Sequence, residues 1–307
     1  MPITRIRTGL LLRKTLRNLR GIATFTVLTV NTVFWFVPIF LLAILKLLVP
    51  IPAIRRVLTR WIMTMGEFWV AGNAALFEMK NSDRLDVRGI EDLSRQGWYL
   101  VVSNHQTWVD IIVLQVVMNR RIPFLKFFIK QQLIWFPFLG IAWWAMDMPF
   151  MKRFSKSYLA KHPEKKGQDF EATRRACRKF RNTPTTVFNF VEGTRFTAEK
   201  KIRRNSSFDH LLPPRAGGIA LALTSMGSIF DCILDVTVVY PQGIAQFWAL
   251  CRGEFDGVVV EIKNRPIEEW MIDGDYENDR EYRSRFHKWL TQVWQEKDER
   301  IAKLLGD

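Results

Sequence analysis

Trp98-Tyr99-Leu100-Val101-Val102-Ser103-Asn104-His105-Gln106-Thr107-Trp108-Val109-Asp110 is the stretch on which the fold turns. It opens as a short apolar run ending in polar residues, the pattern of a buried strand. Helical patterning follows over 110–117. Further strands read over 185–191, over 233–240 just before Pro241, and over 257–262, with helices over 169–180 and 218–225. Strands alternating with helices predict an α/β layered domain, a central mostly parallel sheet flanked by helices. At the C-terminal end, residues 281–305 place Phe286, Trp289, Leu290 and Val293 at i, i+3, i+4 and i+7. That stripe reads as the core-facing side of an amphipathic helix.

The polar end of the first strand carries chemistry. His105 and Asp110 lie in one short segment, and a carboxylate beside a histidine fixes the imidazole tautomer and stabilises its protonated form. Positions i and i+5 sit about 140° apart on a helix, so the two side chains meet only if His105 lies at or before the first turn. No serine or cysteine nucleophile belongs visibly to the unit, so the base is suited to a substrate hydroxyl. The bland alternative is that Asn104 caps a helix and His105 is a polar loop residue. A second constellation ends the next strand: Phe190-Val191-Glu192-Gly193-Thr194-Arg195. Arg195 can hold phosphate with two donors, and Gly193 and Thr194 offer close backbone N–H groups. Its alternative is a glycine turn with a surface Arg–Glu pair.

The chain has 307 residues with 45 Lys and Arg against 30 Asp and Glu, a net charge of +15, and 48% hydrophobic residues. That apolar content supports a sizeable core and excludes a disordered chain. The charge points to an anionic partner: nucleic acid, anionic lipid or a phosphorylated substrate. Cys177, Cys232 and Cys251 are too few and too scattered for a disulfide framework or zinc ribbon, so reduced thiols and no metal are expected. A nucleic-acid-binding regulator would share the basic surplus. Against it, the aromatics cluster in apolar runs rather than interleaving with Lys and Arg, and no helix-turn-helix or RNP signature is present.

The N-terminal third reads as membrane-associated. Six basic residues (Arg5, Arg7, Arg13, Lys14, Arg17, Arg20) precede 25 uncharged ones over 21–45, enough to cross a bilayer. A single span would hold the basic N-terminus in the cytosol and send the rest across. The far flank is also basic, with Arg55, Arg56 and Arg60, which fits a segment that enters and returns. Pro38 is expected to split the run and Val49-Pro50-Ile51-Pro52 to turn it, while the second apolar stretch, 68–77, is too short to span alone. A re-entrant or interfacial helical hairpin is therefore expected rather than a single span. A cleaved signal peptide does not fit a run this long. The expected organisation is residues 1–79 as basic N-terminus and hairpin, and 80–307 as the α/β domain, with the charged stretch 83–95 as connector.

Taken together, Asn-His-x4-Asp and, about 80 residues later, Phe-x-Glu-Gly-Thr-Arg, each at a strand end, resemble the 1-acylglycerol-3-phosphate acyltransferase family of the lysophospholipid acyltransferase superfamily. The likeness runs over roughly 98–242, and the layout looks like its bacterial YihG-type branch. Lys130-Gln131-Gln132-Leu133 is similar to the family's Lys-x-Glu-Leu block, with Gln132 in place of the usual acid. Gly140 through Lys152-Arg153 looks like the block that ends in a phosphate-binding basic residue. Leu212-Pro213-Pro214-Arg215-Ala216-Gly217-Gly218 and Val238-Val239-Tyr240-Pro241 match later blocks. Trp108 and Trp143-Trp144 are not diagnostic and read as packing or lipid contact.

The resemblance implies a transfer without acyl-enzyme or cofactor. His105 would deprotonate the free hydroxyl of a lysophospholipid and Asp110 would orient it. Glu192, Gly193, Thr194 and Arg195, with Arg153, would place the acceptor's phosphate, and the Gly193 N–H or Lys130 would stabilise the oxyanion. Acyl-CoA or acyl-carrier-protein would be the donor, membrane lipids the surroundings, and the inner membrane with a cytoplasmic site the location. A scaffold with a dead catalytic domain and a thioester hydrolase are the other readings.

Overall fold

The computed structural model describes residues 2–136, 139–151, 162, 180, 183–276 and 278–306. Its strands are β1 (Leu85–Arg88), β2 (Tyr99–Ser103), β3 (Leu125–Phe127), β4 (Ile129–Lys130), β5 (Phe150–Met151), β6 (Thr186–Phe190), β7 (Cys232–Val239) and β8 (Val258–Arg265). Its helices are α1 (Pro2–Leu48), α2 (Pro52–Asn81), α3 (Val109–Met118), α4 (Leu139–Ala145), α5 (Ala198–Arg203), α6 (Gly217–Met226), α7 (Phe247–Arg252), α8 (Glu269–Ile272) and α9 (Arg280–Leu305).

Six strands form one sheet in the order β1-β8-β7-β2-β6-β3, and β4 pairs with β5 beside it. Every pairing is parallel except β7 with β8. All five residues of β2 are buried because helices cover both sheet faces. Leu100 and Val102 join the core formed by α6 and α9, while Val101 joins that of α3. α9 starts where the Asp279 side chain accepts the Glu281 and Tyr282 N–H groups, and it packs Phe286, Leu290 and Val293 inward. It also carries charge into the core. Lys297 and Arg300 pair with Asp235 of β7, and Arg300 Nη1 donates to Thr237 Oγ1 at 2.8 Å. Burial pushes the Asp235 carboxyl up, but the charges of Lys297, Arg265 and Arg300 outweigh it and hold it low.

The N-terminal third differs from the sequence expectation in two respects. Pro38 does not split the apolar run: α1 continues through it to Leu48. A proline removes one helical N–H and crowds the preceding turn. Packing on either side outweighs that cost: Trp35 stacks on Phe68 of α2 with centroids 5.5 Å apart, and Ile39 and Ala43 are buried with Ala142 and Ala145 of α4. The stretch 68–77 is not a separate segment but part of the 30-residue α2. The two helices run antiparallel, with Asn31 Nδ2 donating to the Trp69 carbonyl at 3.0 Å and to Asn73 Oδ1 at 2.9 Å. The pair lies along the α/β body. Phe25 packs edge-on against Phe247 of α7, Ala74 and Phe77 enter the core under the sheet, and Lys46 Nζ turns inward to the Ala145 carbonyl at 2.9 Å.

The charged connector also holds a strand, β1. Leu85 and Val87 alternate with the charged Asp86 and Arg88, as suits a sheet edge with one face in water. The expected helix over 169–180 falls, apart from Phe180, outside the described residues.

Candidate active site

β2, β6 and β7 are mutually parallel, so their carboxyl ends share one edge of the sheet, and the chain leaving β2 there turns at once. Asn104 is not a helix cap. Its side-chain amide donates to the Val238 carbonyl and accepts the Val238 N–H, both at 2.9 Å, extending the ladder after the backbone has turned away. That turn leaves His105 ahead of α3, whose first turn carries Asp110. His105 Nδ1 and Asp110 Oδ2 lie 2.8 Å apart.

Asp110 is fully buried, and both its oxygens are used. Oδ2 also accepts the backbone N–H groups of Gln106 at 2.6 Å and Thr107 at 3.0 Å, and Oδ1 accepts the Tyr240 hydroxyl at 2.7 Å. An oxygen already accepting two N–H groups is an acceptor toward histidine as well. Nδ1 therefore carries the proton and Nε2 keeps the lone pair of a general base. The imidazole stacks on Phe190, centroids 3.8 Å apart, which fixes its plane. The neighbouring hydroxyls are committed to backbone carbonyls: Ser103 Oγ donates to Asn104 O at 2.9 Å and Thr107 Oγ1 to Ala245 O at 2.7 Å. Neither is poised as a nucleophile. Among the described residues no group of three or more His, Cys, Asp or Glu is placed to hold a metal ion.

The loop after β6 is brought beside this pair, with the Phe196 N–H donating to the His105 carbonyl at 2.7 Å. Two of its residues depart from the roles the resemblance implied. Glu192 is fully buried and accepts the N–H groups of His105 and Leu212, both at 3.3 Å, so it braces two loops instead of touching an acceptor's phosphate. Burial pushes its carboxyl up to about 8, despite the opposing pull of those N–H groups and of Lys297. Gly193 has φ +67°, a conformation that favours glycine, and its N–H donates to the Phe190 carbonyl at 2.9 Å. That N–H is spent and is not an oxyanion donor.

Arg195 does reach outward. Its guanidinium lies over the half-exposed Trp108 ring, 4.8 Å from the centroid, which gives Trp108 a partner that its sequence did not suggest. Thr194 Oγ1 accepts from Lys200 Nζ at 3.0 Å, and the same ammonium donates to the Arg195 carbonyl at 2.8 Å. Lys200 thus holds the loop, although nothing in its spacing marked it. Lys130 sits in β4, the neighbour of β5, while its side chain and the whole of Arg153 lie outside the described residues. Gln132 is exposed in the turn that follows β4. Tyr240 belonged to a recognised block, yet only the fold gives its hydroxyl a role.

A histidine beside a buried carboxylate, at the carboxyl edge of an α/β sheet and with the neighbouring Ser103 and Thr107 hydroxyls committed elsewhere, has the geometry of an enzyme-type base and its orienter. The sequence model of the Acyltransferase family matches residues 84–241, just over half of the chain, and the chain belongs to that family. It is 28% identical over 187 residues to 1-acyl-sn-glycerol-3-phosphate acyltransferase epsilon of Mus musculus, covering 56% of this chain and 49% of the mouse protein. It is 28% identical over 132 residues to lysocardiolipin acyltransferase 1 of Gallus gallus, covering 39% of this chain and 32% of that protein. The chain thus spans half or less of the length of these two relatives. The crystal structure of the 1-acyl-sn-glycerophosphate (LPA) acyltransferase PlsC from Thermotoga maritima aligns with a TM-score of 0.48 at 17% identity, covering 94% of this chain and 98% of that one.

Because the folded Glu192 holds its proton up to about pH 8 and the unfolded one only to about 4.5, the native state binds the extra proton between these values. Its contribution to stability is present below pH 4.5 and lost as pH rises toward 8. Chemical unfolding of the detergent-solubilised chain is expected to show a fall over this window, at most about 1.4 kcal/mol per pH unit. Glu192→Gln should flatten that slope, and an unchanged slope would assign it to other groups.

Proposed function

We propose that the chain is an O-acyltransferase that moves a fatty acyl group from an acyl thioester, acyl-CoA or acyl-carrier-protein, to the free hydroxyl of a lysophospholipid. The favoured acceptor is 1-acyl-glycerol-3-phosphate, giving phosphatidic acid, in keeping with the name of the mouse relative. Lysocardiolipin, named for the Gallus gallus relative, belongs to the second acceptor class to be tried.

One observation carries this reading: the His105–Asp110 contact at 2.8 Å beside the Ser103 and Thr107 hydroxyls, both committed to backbone carbonyls. His105 Nε2 takes the proton of the acceptor hydroxyl as its oxygen attacks the thioester carbonyl. The tetrahedral intermediate collapses with loss of the thiolate, which recovers the proton from the imidazolium. Asp110 stabilises that imidazolium in between. Arg195 binds the acceptor's phosphate, with Arg153 as a second cation, and Lys130 is the remaining candidate for the oxyanion.

The apolar face of α1 supports action at a membrane. Val30, Val33, Val37, Leu41, Ile44 and Leu48 form one exposed stripe at helical spacing, about 27 Å long at 1.5 Å per residue. The stretch 12–48 of α1 is long and apolar enough to cross a bilayer, with mean hydropathy 2.2 over its most apolar 18 residues. Its opposite face, however, is packed on α2, α4 and α7. A helix held along the body of the protein offers its stripe to one leaflet, so we place it in the membrane interface, with the basic ends drawn to anionic headgroups. A water-soluble donor then puts the site on the cytoplasmic side of the cell membrane.

The deciding experiment is acyl transfer from labelled oleoyl-CoA to lysophosphatidic acid, with other lysophospholipids in parallel, by membranes carrying wild type or His105→Ala. Phosphatidic acid formed by the wild type alone is the expected result; equal product from the variant would remove His105 as base. Arg195→Ala is expected to raise the acceptor KM by roughly 10- to 100-fold, as for loss of a hydrogen bond to a charged group, and to spare the donor KM. Val37→Glu with Leu41→Glu should reduce co-flotation with anionic vesicles without shifting the unfolding midpoint. Undiminished flotation would place the membrane contact elsewhere.

A further inference from the structure

We infer that Tyr240 is a positioning residue for this reaction, acting on His105 through the carboxylate of Asp110. The inference rests on the reading of His105 as general base, and it names a residue from the far end of the domain that sets how that base works.

Tyr240 follows β7, 130 residues beyond Asp110 in the chain, and its hydroxyl reaches Asp110 Oδ1 at 2.7 Å. The ring is buried and packs edge-on against Phe255, centroids 6.4 Å apart, so the hydroxyl is held in place by its own ring. Burial, and then the charge of Asp110, raise the phenol well above its ordinary range. It stays protonated wherever the enzyme works and is therefore a permanent donor.

Two consequences follow. With Oδ1 tied to β7, the carboxylate plane cannot rotate, and Oδ2 alone is presented to Nδ1. The phenol also draws off part of the negative charge that would otherwise stabilise the imidazolium. A base must take a proton and then release it to the departing thiolate. Too strong a carboxylate partner slows the release, and too mobile a partner loses the alignment. A donor on the second oxygen moderates both. The other titratable or charged groups around the pair are Glu192 from the loop after β6, Lys297 of α9 acting on Glu192, and Arg195 over Trp108. None of these touches Oδ1 among the described residues, so Tyr240 can be varied alone.

The test uses the full chain in detergent. The imidazole of His105 is followed by nitrogen NMR through a pH titration, its signal identified by its absence in His105→Ala. Tyr240→Phe, which keeps the ring, is expected to move the titration midpoint to higher pH. Tyr240→3-fluorotyrosine, a stronger donor with the same packing, should move it to lower pH. In an Asp110→Ala background Tyr240→Phe should leave the midpoint where it is. In acyl transfer, Tyr240→Phe should lower kcat by roughly 10- to 100-fold, the loss of a hydrogen bond to a charged group, with both KM values unchanged. Midpoints that do not move in opposite directions for the two variants overturn the proposal, as does a shift that persists without Asp110. The NMR result stands even if no acyl acceptor is found, so a failure of the proposed reaction and a failure of this inference are told apart.

Discussion

A buried carboxylate must have its acceptor sites filled or it costs several kcal/mol. Around Asp110 that requirement organises the whole catalytic edge of the sheet. Filling Oδ2 draws in the Gln106 and Thr107 N–H groups, which makes the tight turn between β2 and α3. The turn puts His105 ahead of the first helical turn, within reach of the same oxygen. Filling Oδ1 ties in the residue after β7. Asn104 closes the remaining gap by pairing its amide with Val238. One charge thus fixes the ends of two adjacent strands and the tautomer of the histidine.

The same rule is applied on the opposite side of the sheet and in the helical pair. Lys297 is fully buried and burial lowers its ammonium to about 8, yet its pairing with Asp235 fastens α9 across β7. Lys46 closes the last turn of α4 and pairs with Asp147 at 3.2 Å, joining α1 to the chain beyond α4. With its charge turned inward, that end of α1 presents only apolar side chains on its outer face. A contiguous apolar stripe of this kind is rare on the water-facing surface of a monomer. The buried cation and the exposed stripe are therefore two results of one arrangement.

Much of the sheet could be read from the chain. β2 is a continuous apolar run, as suits a fully buried parallel strand, β6 and β7 are mostly apolar, and β8 is apolar at its start and polar at its end. β1 was hidden because an edge strand alternates with charged residues, and β3, β4 and β5 because two or three residues cannot display a period. Pro38 misled because the rule against proline inside helices describes the isolated helix, while neighbours on both sides hold this one together.

At the site, the sequence by itself determined which residue types stand at the strand ends: His105 and Asp110 in one segment, Glu192 to Arg195 in another, and a family likeness carried by both. It allowed His105 and Asp110 to be paired because their meeting is a local matter of turn geometry. Only the tertiary structure decided that Glu192 faces inward, that the Gly193 N–H is already used, that Lys200 and Trp108 hold the Arg195 loop, and that Tyr240 completes Asp110. These depend on which groups lose water on folding and which partners then lie within hydrogen-bonding distance. Contacts between residues as far apart as 110 and 240 leave no spacing in the chain from which they can be read.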